Sequence, residues 1–245
     1  MNELKFTVLS YYPSIVNNEN INVGMLFFCK ELSYKKFYIT KNIKRLSSFD
    51  DEIDIDFLKK YLKDIQDQWE NESDECSVES FTYNFGNELR FGKINSIKSD
   101  NIDAFVKDSI LINFRFDFEK KDRPTEETIK KYIVRIMKEN DISFNKGQFT
   151  GAFNKNVNYD FIIDRTGFKS ITLRDDSSIN RQMITIKGWA YTAYMNKNMK
   201  GLDTVFIVNS NVGNSAYQQA IDILKSHATV IDTADILPFI NDMVD

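Results

Sequence analysis

The order of apolar patterns after residue 124 constrains this chain most. Ile129, Tyr132, Ile133, Ile136 and Met137 recur at spacings of three and one, which makes one buried helical stripe. Pro124 opens that helix, and Glu126 and Glu127 sit in its first turn, where the helix dipole favours acids. Residues 144–153 then read as a Gly-containing hairpin, and residues 157–164 and 168–175 as two strands joined by Arg165, Thr166 and Gly167. After them come a helix (180–196), a strand (203–210), a helix (215–226), a strand (228–232) and a helix (234–244). Pro238 fits that last helix only in its first turn. Helices alternating with short apolar strands need a sheet covered by helices.

The first half has a different grammar. Residues 4–12 are β-branched and aromatic, residues 21–30 are apolar almost throughout, and residues 35–40 alternate. These predict an antiparallel meander whose second strand is buried on both faces. Phe57, Leu58, Tyr61, Leu62, Ile65 and Trp69 form a helical stripe over 54–70. Residues 71–79 read as a polar loop, 89–97 as one further strand, and Ile102, Phe105, Val106 and Ile110 as a second helix. Phe114, Phe116 and Phe118 alternate in a charged connector, a pattern that suits a half-buried strand as readily as a linker. The expected fold class is α+β: an N-terminal antiparallel meander with helices, then a C-terminal α/β layer with a mixed sheet flanked by helices. The expected units are 1–120 and 121–245.

Charge and cysteine narrow the chemistry. Residues 1–123 carry 18 basic against 22 acidic side chains, and the remainder is balanced at 14 of each, so neither half has the basic excess of a dedicated nucleic-acid binder. Lys35, Lys36, Lys41, Lys44, Arg45, Lys59, Lys60 and Lys63 form the best basic patch, and a solvated rim explains it. Cys29 and Cys76 lie far apart without a CxxC partner, which fits a reducing cytoplasm. No apolar run reaches the length of a membrane span, and the first residues lack the pattern of a secretory signal.

Tyr11, Tyr12 and Pro13, followed by Glu19, Asn22 and Gly24 ahead of the apolar run Met25 to Phe28, resemble the opening of the bacterial domain-of-unknown-function family numbered 3037. That family shows an aromatic strand, a proline, then a Glu-x-x-Asn-x-Gly signature entering an apolar strand. The likeness continues more loosely through 54–70 and 89–97. It implies no activity. Some members neighbour HipA-like kinase genes, which implies a toxin–antitoxin or phage-conflict setting. The residues themselves allow two readings. In one, Gly24 permits a bulge or close approach while Glu19 and Asn22 cap the preceding turn. In the other, the three form a binding site.

The second half resembles a restriction-endonuclease-like core in its element order. Such a core implies an acid from a helix, an acid on a strand and an acid-x-Lys on the hairpin partner, together holding a divalent metal. The candidates here are Glu127 (or Glu126), Asp160 and Lys169, with Asp160 and Asp175 as metal ligands for Mg²⁺. No acid stands two residues before Lys169, so the expected version is degenerate and noncatalytic. Asn211, Gly213 and Asn214 link a strand to a helix whose N–H groups could take a phosphate, although the loop lacks a P-loop lysine. The expected function is therefore noncatalytic binding of another macromolecule, without a cofactor. A protein is the first class of partner, nucleic acid the second, and no membrane is involved. A metal-dependent nuclease centred on Asp160 is the alternative.

Overall fold

The computed structural model describes residues 1–14, 19–73, 76–173, 179–208 and 215–244. The chain divides into two compact units, Met1–Arg123 and Pro124–Asp245.

The first unit is built on an antiparallel sheet. Strands β1 (Asn2–Tyr11), β2 (Ile21–Cys29) and β3 (Tyr34–Ile39) form the meander, with β2 between the other two. Helices α1 (Lys44–Phe49), α2 (Ile55–Asn71) and α3 (Val78–Thr82) follow. The expected single strand at 89–97 is two, β4 (Leu89–Phe91) and β5 (Asn95–Ser99), which share the outer edge of β1. Gly92 marks the break, its N–H donating to the Val8 carbonyl at 2.9 Å. Helix α4 (Ile102–Asn113) completes the unit.

β2 is apolar nearly throughout because helices cover both its faces. Phe28 packs edge-on against Trp69 of α2 at 5.8 Å, while its neighbour Phe27 faces Phe6, which packs against Phe105 of α4. Asp54 caps α2 by accepting the N–H groups of Asp56 and Phe57. The buried stripe of α2 is Leu58, Leu62, Ile65 and Trp69. Phe57 and Tyr61, expected in that stripe, instead stack on each other at the surface, 65% and 42% exposed. The connector is no strand. Arg115–Asp117 makes a 3₁₀ turn, and Phe114 packs against Tyr38. Asp117 accepts from the Tyr38 and Thr40 hydroxyls and from the N–H groups of Lys41 and Asn42.

The second unit opens with α5 (Glu126–Glu139), capped by Thr125, whose hydroxyl accepts the Thr128 N–H. Its buried face is the five residues read from the sequence. Strands β6 (Asn145–Thr150), β7 (Asn156–Ile163) and β8 (Thr166–Ile171) run antiparallel. The 144–153 segment is thus one strand followed by a 3₁₀ turn, Ala152–Asn154, rather than a hairpin. Then come α6 (Ile179–Lys200), β9 (Asp203–Val208), α7 (Ser215–Lys225), β10 (Thr229–Asp232) and α8 (Ile236–Val244). Both β9 and β10 run parallel to their neighbours, giving a mixed sheet ordered β10-β9-β8-β7-β6. Trp189 of α6 packs on Phe206 from one face, and Phe239 of α8 packs on Phe168 from the other. Pro238 is the third residue of α8, where no intrahelical N–H bond is lost.

Candidate functional site

A concave site lies in the second unit, where α6 crosses the start of β7. It begins with a bulge. Lys146 pairs with Phe161 and Gln148 with Asn158, so Gly147 alone faces both Tyr159 and Asp160. A bulge breaks the alternation of side chains along a strand and re-aims them. Here it releases two consecutive polar side chains for separate tasks.

Tyr159 enters a buried polar chain. Its hydroxyl lies 3.0 Å from the Thr204 hydroxyl and accepts from Asn196 Nδ2 at 3.0 Å. Asn196 is an asparagine buried inside α6, and its Oδ1 accepts the Ala152 N–H at 2.9 Å. This network fixes the Ala152–Asn154 turn from below. A Cβ on Gly151 would stand 2.6 Å from Asn196 Oδ1, so only glycine lets the turn come this close. Above it Phe153 (φ 56°) and Asn154 (φ 53°) are both left-handed. A bulky residue there is strained and persists only where its surroundings over-determine it. The ring of Phe153 stays 62% exposed. It rims a groove of about 560 Å³ whose walls include Val157, Trp189, Tyr191 and Met195. That volume suits a small ligand or one inserted side chain.

Asp160 does something else. The β7–β8 ladder ends at the Phe161–Phe168 pair. Beyond it, Asp160 Oδ2 accepts the Ser170 N–H at 2.6 Å, and Glu126 Oε1 accepts the Thr172 N–H at 3.0 Å. Two carboxylates thus stand in for the departing strand. Lys169 Nζ lies 3.2 Å from Asp160 Oδ1, Lys130 Nζ lies 3.9 Å away, and Lys169 also sits over the Trp189 ring.

The structure thus brings Asp160 and Lys169 together, as the hairpin register predicts. It does not bring Glu127 to them: that side chain pairs with Lys131 at 3.6 Å on the exposed helix surface, and Glu126 is the acid that reaches β8. Among the described residues no three His, Cys, Asp or Glu side chains converge as a metal site would need. Asp175, Asn211, Gly213 and Asn214 lie outside the described residues.

In the first unit the signature residues part company. Leu9 pairs with Gly24 and Ser10 with Asn22, leaving Val23 as a bulge. A Cβ on Gly24 would stand 2.5 Å from the Phe37 ring, so glycine there serves close approach. Most of the turn that Asn22 and Glu19 were expected to cap, residues 15–18, lies outside the described residues. Asn22 lies within β2, where Oδ1 accepts from the Ser10 hydroxyl at 3.0 Å and Nδ2 donates to the Asn113 carbonyl. Glu19 is exposed ahead of β2. Three members of the basic patch are engaged locally: Lys35 Nζ binds the carbonyls of Glu72 and Ser73, Lys59 pairs with Asp56, and Lys63 with Asp67. Burial, reinforced by the Asp117 carboxylate, pushes the Tyr38 phenol well above its ordinary value.

Sequence reasoning missed Asn196 and Phe153. A lone asparagine in a helix and a Gly-Ala-Phe-Asn turn carry no pattern that announces a buried network.

Comparison with known proteins bears on the first unit. Residues 6–104 match the model of the family described as protein of unknown function (DUF3037), in agreement with the signature at Glu19, Asn22 and Gly24. No curated protein and no solved structure matches the chain. No helix among the described residues is long and apolar enough to cross a membrane.

Proposed function

We propose that this is a noncatalytic cytoplasmic protein that acts by holding another macromolecule, a protein ahead of a nucleic acid, and needs no cofactor. A setting of bacterial defence, toxin–antitoxin pairing or phage counter-defence follows from the family resemblance alone. The observation that carries the reading is the engagement of Asp160. Its two oxygens are taken by the Ser170 N–H and the Lys169 ammonium, so this strand carboxylate serves the sheet. The stacked pair Phe57 and Tyr61 supports contact with a partner, because two large rings left exposed side by side on α2 gain by being covered. Affinity capture from bacterial lysate tests this. A specific partner should be retained by the native chain and lost with Phe57→Lys and Tyr61→Lys. Capture that these changes leave intact would remove α2 as the contact.

A metal-dependent nuclease is the second reading, favoured by the 3.2 Å approach of Lys169 to Asp160 on adjacent strands. Purified protein should leave DNA and RNA intact with Mg²⁺ or Mn²⁺. Cleavage that disappears with Asp160→Ala would establish the nuclease instead.

A further inference from the structure

Three arginines from three separate segments of the first unit meet on one ring. The guanidinium of Arg45 lies 4.4 Å from the centre of the Phe116 ring, that of Arg123 4.8 Å and that of Arg115 5.2 Å. Each contact is a cation–π attraction. One ring offsets three like charges poorly, because the arginines repel one another within the same small volume.

The backbone builds this arrangement. Asn42 Nδ2 donates to the Phe116 carbonyl at 3.0 Å, and the Asn42 N–H donates to Asp117 Oδ1 at 3.1 Å. Those bonds fasten the Arg115–Asp117 turn to the chain just ahead of α1, where the Asn42 carbonyl accepts the Arg45 N–H. Arg45 thereby reaches the ring. Arg123 approaches from the far end of the connector, its Nε donating to the Phe118 carbonyl at 3.3 Å.

The neighbouring acids are engaged elsewhere. Asp117 gives its oxygens to two hydroxyls and two backbone N–H groups, and Glu119 pairs with Lys121 at 3.0 Å. Arg123 has no carboxylate partner among the described residues. Residues 41–45 and 115–123 together carry seven basic and three acidic side chains, in a chain whose net charge is −4. The three arginines and Phe116 are all half-buried, so the guanidiniums are held in place and still reachable from solvent.

We propose that Arg45, Arg115 and Arg123 form a binding site for a phosphomonoester, the group carried by a phosphorylated side chain and mimicked by free phosphate. A guanidinium is planar, stays charged and presents paired N–H donors that match two phosphate oxygens. A phosphomonoester brings close to two negative charges and three strong acceptor oxygens to that cluster. The singly charged phosphodiester of a nucleic acid offsets fewer of the three cations. Phe116 keeps the guanidiniums together, and the bonds to Asp117 fix the turn before the ligand arrives, which lowers the ordering cost of binding.

Isothermal titration calorimetry of the full chain with O-phosphoserine, and separately with inorganic phosphate, tests the site. At least one probe should bind saturably. Arg123→Gln should weaken that binding by about tenfold or more, the effect of removing one charged donor. Arg123→Lys keeps the charge and loses the planar fork, so it should recover only part of the affinity. Arg123 is half-exposed, and both variants should keep the native far-ultraviolet circular dichroism. Equal affinity for the two probes identifies the bare phosphate group as what is read. Tighter binding of O-phosphoserine identifies a phosphorylated side chain. The inference is overturned if neither probe binds saturably, if Arg123→Gln binds like the native chain, or if dimethyl phosphate, a phosphodiester, binds as tightly. The proposed function stands or falls separately, because it is tested at α2, and Phe57→Lys should bind both probes like the native chain.

Discussion

Asn196 holds Ala152 from inside a helix: its Oδ1 accepts the Ala152 N–H at 2.9 Å while its Nδ2 donates to Tyr159. An asparagine at a buried helical position is costly unless its amide is satisfied on both ends. Here it is, and the result is a rigid turn that carries Phe153 at the edge of the groove. Asn196→Ala should therefore lower the free energy of unfolding by roughly 1–3 kcal/mol, the cost of leaving a buried partner unsatisfied. Urea denaturation measures it, and an unchanged midpoint would mean that the network does not fix the turn.

Phe153 gives a second, opposite expectation. Its left-handed backbone costs roughly 1–2 kcal/mol for a residue with a Cβ, and its ring recovers little of this because it stays exposed. Phe153→Gly relieves the strain and gives back about 0.5–1 kcal/mol in chain entropy. Phe153→Ala keeps the strain and loses the ring. The glycine variant should accordingly melt at or above the native temperature and above the alanine variant. An alanine variant more stable than the glycine one would show that the turn is unstrained.

Much of the architecture was legible beforehand. The unbroken apolar run at β2 announced burial on two sides, and Phe27 and Phe28 do face opposite layers. The α5 stripe matched residue for residue, because its spacing and its capping threonine agree. The α2 stripe was read too widely. Spacing alone could not tell Phe57 and Tyr61, one position off the buried line, from Leu58 and Leu62. The connector stayed open between strand and linker because alternating phenylalanines suit both, whereas Asp117 collects four donors and bends the chain into a turn. The site was least legible. Its geometry depends on the bulge opposite Gly147 and on where the β7–β8 ladder stops, both set by register between strands rather than by local sequence.

Tyr38 predicts a pH effect. Burial, then its bond to Asp117, raises its folded pKa above the ordinary 10.0. A raised pKa means that the neutral phenol is the form the fold favours. Its contribution is complete below the unfolded value and is lost as the pH climbs beyond about 10. Tyr11, hydrogen-bonded to Asp50, shifts in the same direction, so its loss falls in the same range. Tyr38→Phe removes one of these titrations. Stability profiles of the native and variant chains should converge above pH 10, and parallel profiles would contradict the assignment.

The central claim is that Asp160 belongs to the sheet. The direct measurement is the unfolding free energy of Asp160→Ala against the native chain. Removing the carboxylate orphans the Ser170 N–H and leaves the Lys169 ammonium without its partner at 3.2 Å. Bonds to a charged group contribute roughly 1.5–3 kcal/mol, so a loss of that size is expected. A carboxylate retained for catalysis behaves differently, since its removal is commonly neutral or stabilising. Stability equal to or above the native value would contradict the structural role and return Asp160 to the nuclease reading.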